Sequence, residues 1–315
     1  MSKGLNRFAI LVACATFFLI IAGALVTSND AGLATADWPL SNGEFFPNMV
    51  GNLFWEHGHR MVATTVGLLT LALAGYIRFR EKRQWMWQLA LFAVIAVCAQ
   101  GLLGALTVKY LLPLGVSTAH ATLAQLFFCT TVSIAVFTSK SWIEARPLVE
   151  DKAVMPLRHI CTAALATIFL QLILGATLRH SAKWDQHLPT ELILAHIAGA
   201  VAVTLALGSA AITTLRRHKD QPFLTRPAIV ALLLLVVQLS LGIAAYLARM
   251  ASPSDPQPLN PMISITVAHV ACGALVFVTT IVLMLRTYRV LPATDSVQSS
   301  SFSLPTGNSS LKAEL

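Results

Sequence analysis

Charge is what this chain most lacks. Only 11% of its 315 residues are Asp, Glu, Lys or Arg, against roughly 25% in soluble domains, and acidic groups are the scarcer sign, 14 against 22 basic. A water-facing globular surface needs more charge than this, so the classes built on one are excluded. Cysteine is also sparse. None of the five, Cys14, Cys98, Cys129, Cys161 and Cys272, falls in a CxxC or CxxCH arrangement, which argues against covalently attached c-type heme and against a loop disulfide. All five lie in apolar stretches, where a thiol serves as a small hydrophobe.

Apolar residues fill the space that charge leaves. They make up 56% of the chain, and the mean hydropathy is +0.70. A helix needs about 20 apolar residues to cross the hydrocarbon core, and stretches of that kind occur at roughly 7–27, 61–78, 86–107, 117–138, 160–178, 191–215, 228–248 and 262–285. The expected fold is therefore an all-α, multi-pass membrane protein of eight transmembrane helices. The first run follows Lys3 and Arg7 but is longer than a signal-peptide core, and it is read as a retained helix.

Basic residues set the orientation, because they accumulate on the cytoplasmic side. The N-terminus, the 78–83, 139–159 and 216–227 loops and the tail after 285 hold 17 Lys and Arg, and the opposite loops hold five: Arg60, Lys109, Arg179, Lys183 and Arg249. Both termini are expected in the cytoplasm. The net charge of +8 reads as membrane topology and not as nucleic-acid binding.

The chain also repeats itself. Gln100 to Gly104, Gln171 to Gly175 and Gln238 to Gly242 share a Gln-x-x-x-Gly spacing near the outer ends of the odd spans, and Gly23 keeps the glycine without the glutamine. The even spans carry His59, His120, His196 and His269 near that same face. Because His59 and His196 are 137 residues apart and Gly104 and Gly242 are 138 apart, residues 1–138 and 160–289 read as two pseudo-symmetric four-helix units. A cytoplasmic linker at 139–159 would join them, and four spans return the chain to its starting side. The Ser-rich tail 290–315 reads as disordered, and the proline-rich 250–261 loop as an irregular outer connector.

Ionisable groups inside membrane spans are usually functional. Two histidines at similar depth in each unit face one another across a bundle core, which suits a b-type heme with an imidazole on each side of the iron. Glycine in the odd helices either makes room for a flat macrocycle or allows close helix packing; the pattern leaves both open. The glutamines read as interhelical hydrogen-bond partners, because amides rarely bind heme iron. Of the remaining histidines, His159, His180, His187 and His218 read as solvated, and His57 is undecided.

The densest local signal is Trp55-Glu56-His57-Gly58-His59-Arg60 at the mouth of the second span. Glu56 lies three residues before His59, so both share one helical face, and a carboxylate there orients an imidazole, accepts a proton or stabilises charge on a substrate. It equally suits a helix-terminus cap or a partner for Arg60. Glu191 lies five residues before His196, off the equivalent face.

Glu56, His59 and Arg60, a first outer loop with Trp38-Pro39-Leu40 and Phe45-Phe46-Pro47, the histidines of the fourth, sixth and eighth spans, and the repeated Leu-Gly-Ala segments together resemble the heme A synthase family, up to about residue 289. The resemblance implies a membrane oxidoreductase that oxidises the C8 methyl group of heme O to a formyl group for cytochrome oxidase assembly. It implies His59 and His120 as ligands of the substrate heme, His196 and His269 as axial ligands of a resident heme b, and Glu56 as the catalytic carboxylate. It places the chain in the cell's inner (cytoplasmic) membrane with the heme ligands near the outer face. Heme O, the bilayer, a heme O synthase and an electron donor the sequence does not name are its implied partners; a homo-oligomer is left open.

If both histidines stay on the substrate iron, either one leaves to admit oxygen, or the methyl is oxidised by electron removal and captured by water. Glu56 suits the second route. Some members carry two cysteines in the first outer loop, where this chain has Ala34 and Ser41, so no thiol chemistry is expected there. That loop is acidic through Asp30, Asp37 and Glu44, and its aromatics Trp38, Phe45, Phe46, Phe54 and Trp55 suit a membrane interface or a lid over a heme edge. A bis-histidine diheme cytochrome b that only carries electrons, or a heme carrier without catalysis, would explain the histidines but not Glu56.

Overall fold

The computed structural model describes residues 3–146, 155–181, 189–251 and 260–291. Among them the chain forms α1 (Lys3–Ser28), α2 (Asn52–Arg80), α3 (Gln84–Lys109), α4 (Leu114–Phe137), the short α5 (Lys140–Glu144), α6 (Leu157–Ser181), α7 (Thr190–Arg217), α8 (Pro222–Ala251) and α9 (Asn260–Val290). All but α5 are long and apolar enough to cross a membrane, and each of the eight expected spans falls on one of them. The tail from 292 onward and most of the 250–261 connector lie outside the described residues.

The largest departure is at α2, which begins at Asn52 and not near 61. Polar residues at 56–60 interrupt the hydropathy signal, yet they are helical because their side chains are satisfied by the preceding loop. Gly51, at φ 61°, makes the turn into the helix in a conformation that costs glycine little.

A second departure is α5, inside the expected linker. Ser139 caps it by accepting a hydrogen bond from the Trp142 backbone N–H (3.2 Å), and Trp142 meets Phe137 edge-on at 4.8 Å between ring centres. That stretch docks onto the end of α4 before the chain leaves the described region.

Packing is densest at one end of the bundle. Leu5 and Val12 of α1, Leu73 and Ile77 of α2, Met86 of α3 and Ile134 of α4 form one core; Leu157 of α6, Ala210 of α7, Leu224 of α8 and Leu283 of α9 form another at the same end. A third cluster joins the two sets through Ile20, Phe128, Ile168, Leu207 and Phe277. Toward the other end the buried core stops in α7–α9. No residue of α7 before Val203, of α8 after Leu235, or of α9 before Cys272 is buried, and this is the end that carries the histidines.

α8 holds a proline at 227, six residues in. Proline has no N–H to give the carbonyl four residues back, and that carbonyl, Phe223 O, instead accepts from Arg286 Nη1 of α9 at 3.0 Å. The guanidinium also lies 4.6 Å over the Phe223 ring. Arg286→Met removes the donor while keeping an apolar stem, and is expected to lower stability by about 1–3 kcal/mol, read as an earlier unfolding midpoint in detergent. An unchanged midpoint would show that Phe223 O is satisfied without it.

Candidate functional site

Each of the four histidines sits more than one and a half turns inside its helix: His59 is the eighth residue of α2, His120 the seventh of α4, His196 the seventh of α7 and His269 the tenth of α9. At 1.5 Å per residue this carries the imidazoles beyond the helix ends and into the loosely packed half. All four are half-buried.

Every one of these rings lies against a glycine of the preceding long helix. A Cβ on Gly23 would come 3.0 Å from His59 Cε1, one on Gly175 3.0 Å from His196 Cε1, and one on Gly242 3.1 Å from His269 Cε1; the Gly104 to His120 spacing is looser, 3.6 Å. The glycines therefore make room for the imidazoles themselves, a use that neither reading of the sequence pattern had separated from helix packing. Gly175→Ala and Gly242→Ala are expected to displace their histidines and weaken retention of whatever the rings hold. Gly104→Ala, at ordinary contact distance, is the neutral control; equal effects in a pigment-retention assay would sink the distinction.

The glutamines occupy the places expected of interhelical partners. Gln100 Nε2 donates to the His120 carbonyl (2.9 Å), and Gln171 Nε2 to the His196 carbonyl (2.8 Å) with the His196 ring Nδ1 also within 3.1 Å. Gln238 Nε2 lies 3.2 Å from His269 Nε2. Two glycines went unnoticed in the sequence: Gly199 and Gly273 face the side chains of Gln171 and Gln238. Their spacing, three or four residues after a histidine, was the available signal.

His196 and His269 are brought together, with ring centres 6.4 Å apart and planes at 66°. That separation admits one metal ion between them at about 2 Å from a nitrogen of each ring. His120 is among the neighbours that act electrostatically on His59. Among the described residues the Nδ1 atoms of His59, His120 and His269 are buried without a hydrogen-bond partner, a condition that costs about 1–3 kcal/mol per group and that a metal bond from Nδ1 itself would offset. Among the described residues there is no group of three or more His, Cys, Asp or Glu side chains placed to hold a metal. A two-imidazole site on a cofactor needs no such group, so the residues present fit a heme.

Glu56, His57 and Arg60 fasten the 29–51 loop onto α2. Glu56 is 4% exposed; it accepts from the Thr35 backbone N–H at 3.1 Å and pairs with Arg60. Arg60 Nη1 donates to the carbonyls of Asp37 and Leu40, each at 2.8 Å, and to Ser41 Oγ at 3.2 Å. His57 is buried as well. Because the Phe45 carbonyl only accepts, His57 Nε2 donates to it (3.1 Å), and Nδ1 accepts from the Ser41 hydroxyl (2.9 Å). The sequence left Glu56 as either a carboxylate near a ligand or a partner for Arg60; the ion pair is present, but buried under the loop and not on an outer surface. At position 41 a buried serine hydroxyl does the fastening.

Beside this network the loop and the end of α3 enclose a half-open cavity of about 460 Å³. Thr35, the residue bonded to Glu56, lines it together with Trp38, Val108 and Lys109. Val108 is one turn beyond Gly104, on the same face of α3. The loop aromatics Trp38, Phe45, Phe46 and Phe54 are exposed. Of the histidines expected to be solvated, His159 is exposed, His180 and His218 are half-buried, and His187 lies outside the described residues.

Residues 49–185 match the model of a family described as cytochrome oxidase assembly protein. That segment holds His59 and His120 but stops short of His196 and His269. Three curated relatives, each named "Heme A synthase", are 25% identical. The protein of Bacillus licheniformis aligns over 286 residues, 79% of this chain and 88% of its own. That of Geobacillus kaustophilus aligns over 271 residues, covering 77% and 82%, and that of Bacillus cereus over 266, covering 77% and 84%.

Proposed function

We propose, from the premise that these matches support the heme A synthase family for the chain, that it oxidises the C8 methyl group of heme O to a formyl group at the pair His59 and His120. Those two imidazoles hold the substrate's iron, and His196 and His269 hold a resident heme b. When bound, that heme supplies one-electron transfer at a potential set by its axial ligands and surroundings. The two sets α1–α4 and α6–α9 act as pseudo-symmetric units in the inner membrane, termini in the cytoplasm, with the histidine ends facing outward. A donor or acceptor of electrons and a heme O synthase are the partners this role requires.

The observation that carries the reading is the asymmetry between the pairs. All four histidines lie against a glycine of the preceding long helix, but among the described residues only His59 stands one turn from a buried carboxylate. If His59 and His120 both stay on the substrate iron, oxygen has no open position there; the methyl carbon would then take one oxygen from water and give up four protons and four electrons, the electrons to an external acceptor. Glu56 would stabilise the positive charge that develops and accept protons. Arg60 pairs with that carboxylate and holds it in place, and the loop limits the water that reaches it.

Expression in a host that makes heme O but not heme A tests this. Heme A in pigment extracts only when the intact chain is present supports the reading. Bound heme b with no heme A would instead favour a diheme electron carrier.

A further inference from the structure

We infer that Arg179 is the anchor for a carboxylate on the edge of the tetrapyrrole held between His196 and His269. This deepens the heme reading of that pair and rests on it. Arg179 lies in the last turn of α6, four residues beyond Gly175, the glycine against the His196 ring. A spacing of four puts both on one helical face, so the guanidinium stands one turn outward from the imidazole. It is close enough to His269 for the two to interact electrostatically.

Its present partner is neutral. Arg179 Nη2 donates to Ser28 Oγ of α1 at 2.6 Å, and among the described residues no carboxylate pairs with it. Two other cations at this end differ: Arg60 has Glu56, and Lys109 is exposed, over the Tyr110 ring. A half-buried guanidinium in an apolar bundle is costly unless an anion accompanies it, and guanidinium matches a carboxylate by a two-pronged hydrogen bond. Ser28 takes one of the five N–H donors that arginine carries and fixes the group's direction. A tetrapyrrole whose iron was held by His196 and His269 would meet Arg179 if its carboxylate edge faced the water side of the bundle, since Arg179 stands in the last turn of α6.

The experiment uses the full chain with His59→Ala and His120→Ala, which leaves one bis-imidazole pair, in membranes of a heme-deficient host. Protoheme and its dimethyl ester are titrated separately, and occupancy is read from the low-spin absorption bands. The chain is expected to hold the free acid at least ten-fold tighter than the diester. Arg179→Gln is expected to abolish that preference by weakening the acid alone, and Arg179→Lys to keep part of it. Should Arg179→Gln fail to fold, Ser28→Ala, which only releases the guanidinium, is expected to reduce the preference. Equal binding of acid and diester by unchanged Arg179, or a preference that survives Arg179→Gln, overturns the inference. So does a stability change in Arg179→Gln that tracks anionic lipid content and not esterification, which would make lipid phosphate the partner. No low-spin band with either pigment would instead remove the heme reading of His196 and His269, and this inference with it.

Discussion

Glu56→Gln is expected to reduce heme A formation by on the order of 10²–10⁴-fold, the span typical of losing a proton-accepting group, while both pigments stay bound. The amide is nearly the same size, and its oxygen still accepts from Thr35 N–H, now 3.1 Å from the carboxylate. Arg60 loses its charged partner but keeps the carbonyls of Asp37 and Leu40 and the Ser41 hydroxyl. The loop therefore stays seated, and what disappears is the negative charge and the proton acceptor. Pigment extraction after growth at matched protein levels gives the product ratio, and absorption spectra of the membranes give pigment content. Heme A at the unmodified level in Glu56→Gln would reduce Glu56 to a fastening for the loop.

Glu56→Ala separates the two duties of the residue. It removes the acceptor of a buried backbone N–H and leaves Arg60 without a counter-charge, losses worth a few kcal/mol when both are buried. Proteolysis within 29–51 is expected to quicken in this variant and not in Glu56→Gln. If Glu56→Ala and Glu56→Gln fell equally in product while only the first exposed the loop, the charge and not the loop would be what the reaction needs.

The eight long helices were legible because hydropathy over about 20 residues is a strong signal and lipid leaves the backbone few alternatives. The start of α2 was not, since Glu56, His57 and Arg60 look like a loop until their partners at Thr35, Ser41 and Phe45 are known. Those partners lie 12–21 residues away, beyond any periodicity. The recurrence of glycine with histidine was visible as spacing, but its meaning was not: whether Gly175 served a macrocycle or a neighbouring helix depended on which side chain of α7 faced it. Gly199 and Gly273 were missed because a small residue in an apolar helix carries no signature until the glutamine opposite is placed. Arg179 was read only as a count toward loop charge, and its geometry relative to Gly175 gives it a different weight.

Removing one imidazole from each pair is expected to give two different losses. His269→Ala takes one ring from a pair whose centres are 6.4 Å apart and leaves Gln238 without its ring partner. The bis-imidazole low-spin signal of the resident heme is expected to vanish, with heme O still retained and heme A reduced at least 10²-fold. His120→Ala is expected to leave that resident signal intact, lose heme O, and abolish product. The reason for the asymmetry is that His120 packs against Gly104 on α3 and His269 against Gly242 on α8, so each deletion disturbs a separate set of helices. The check is spectral: redox-difference spectra and extracted pigments for each variant side by side, with Gln100→Leu as a control that removes a backbone contact of α4 but no ring. If His120→Ala and His269→Ala gave the same pigment loss and the same residual spectrum, the two pairs would be equivalent, and the division into a substrate pair and a cofactor pair would fall to a symmetrical diheme conduit.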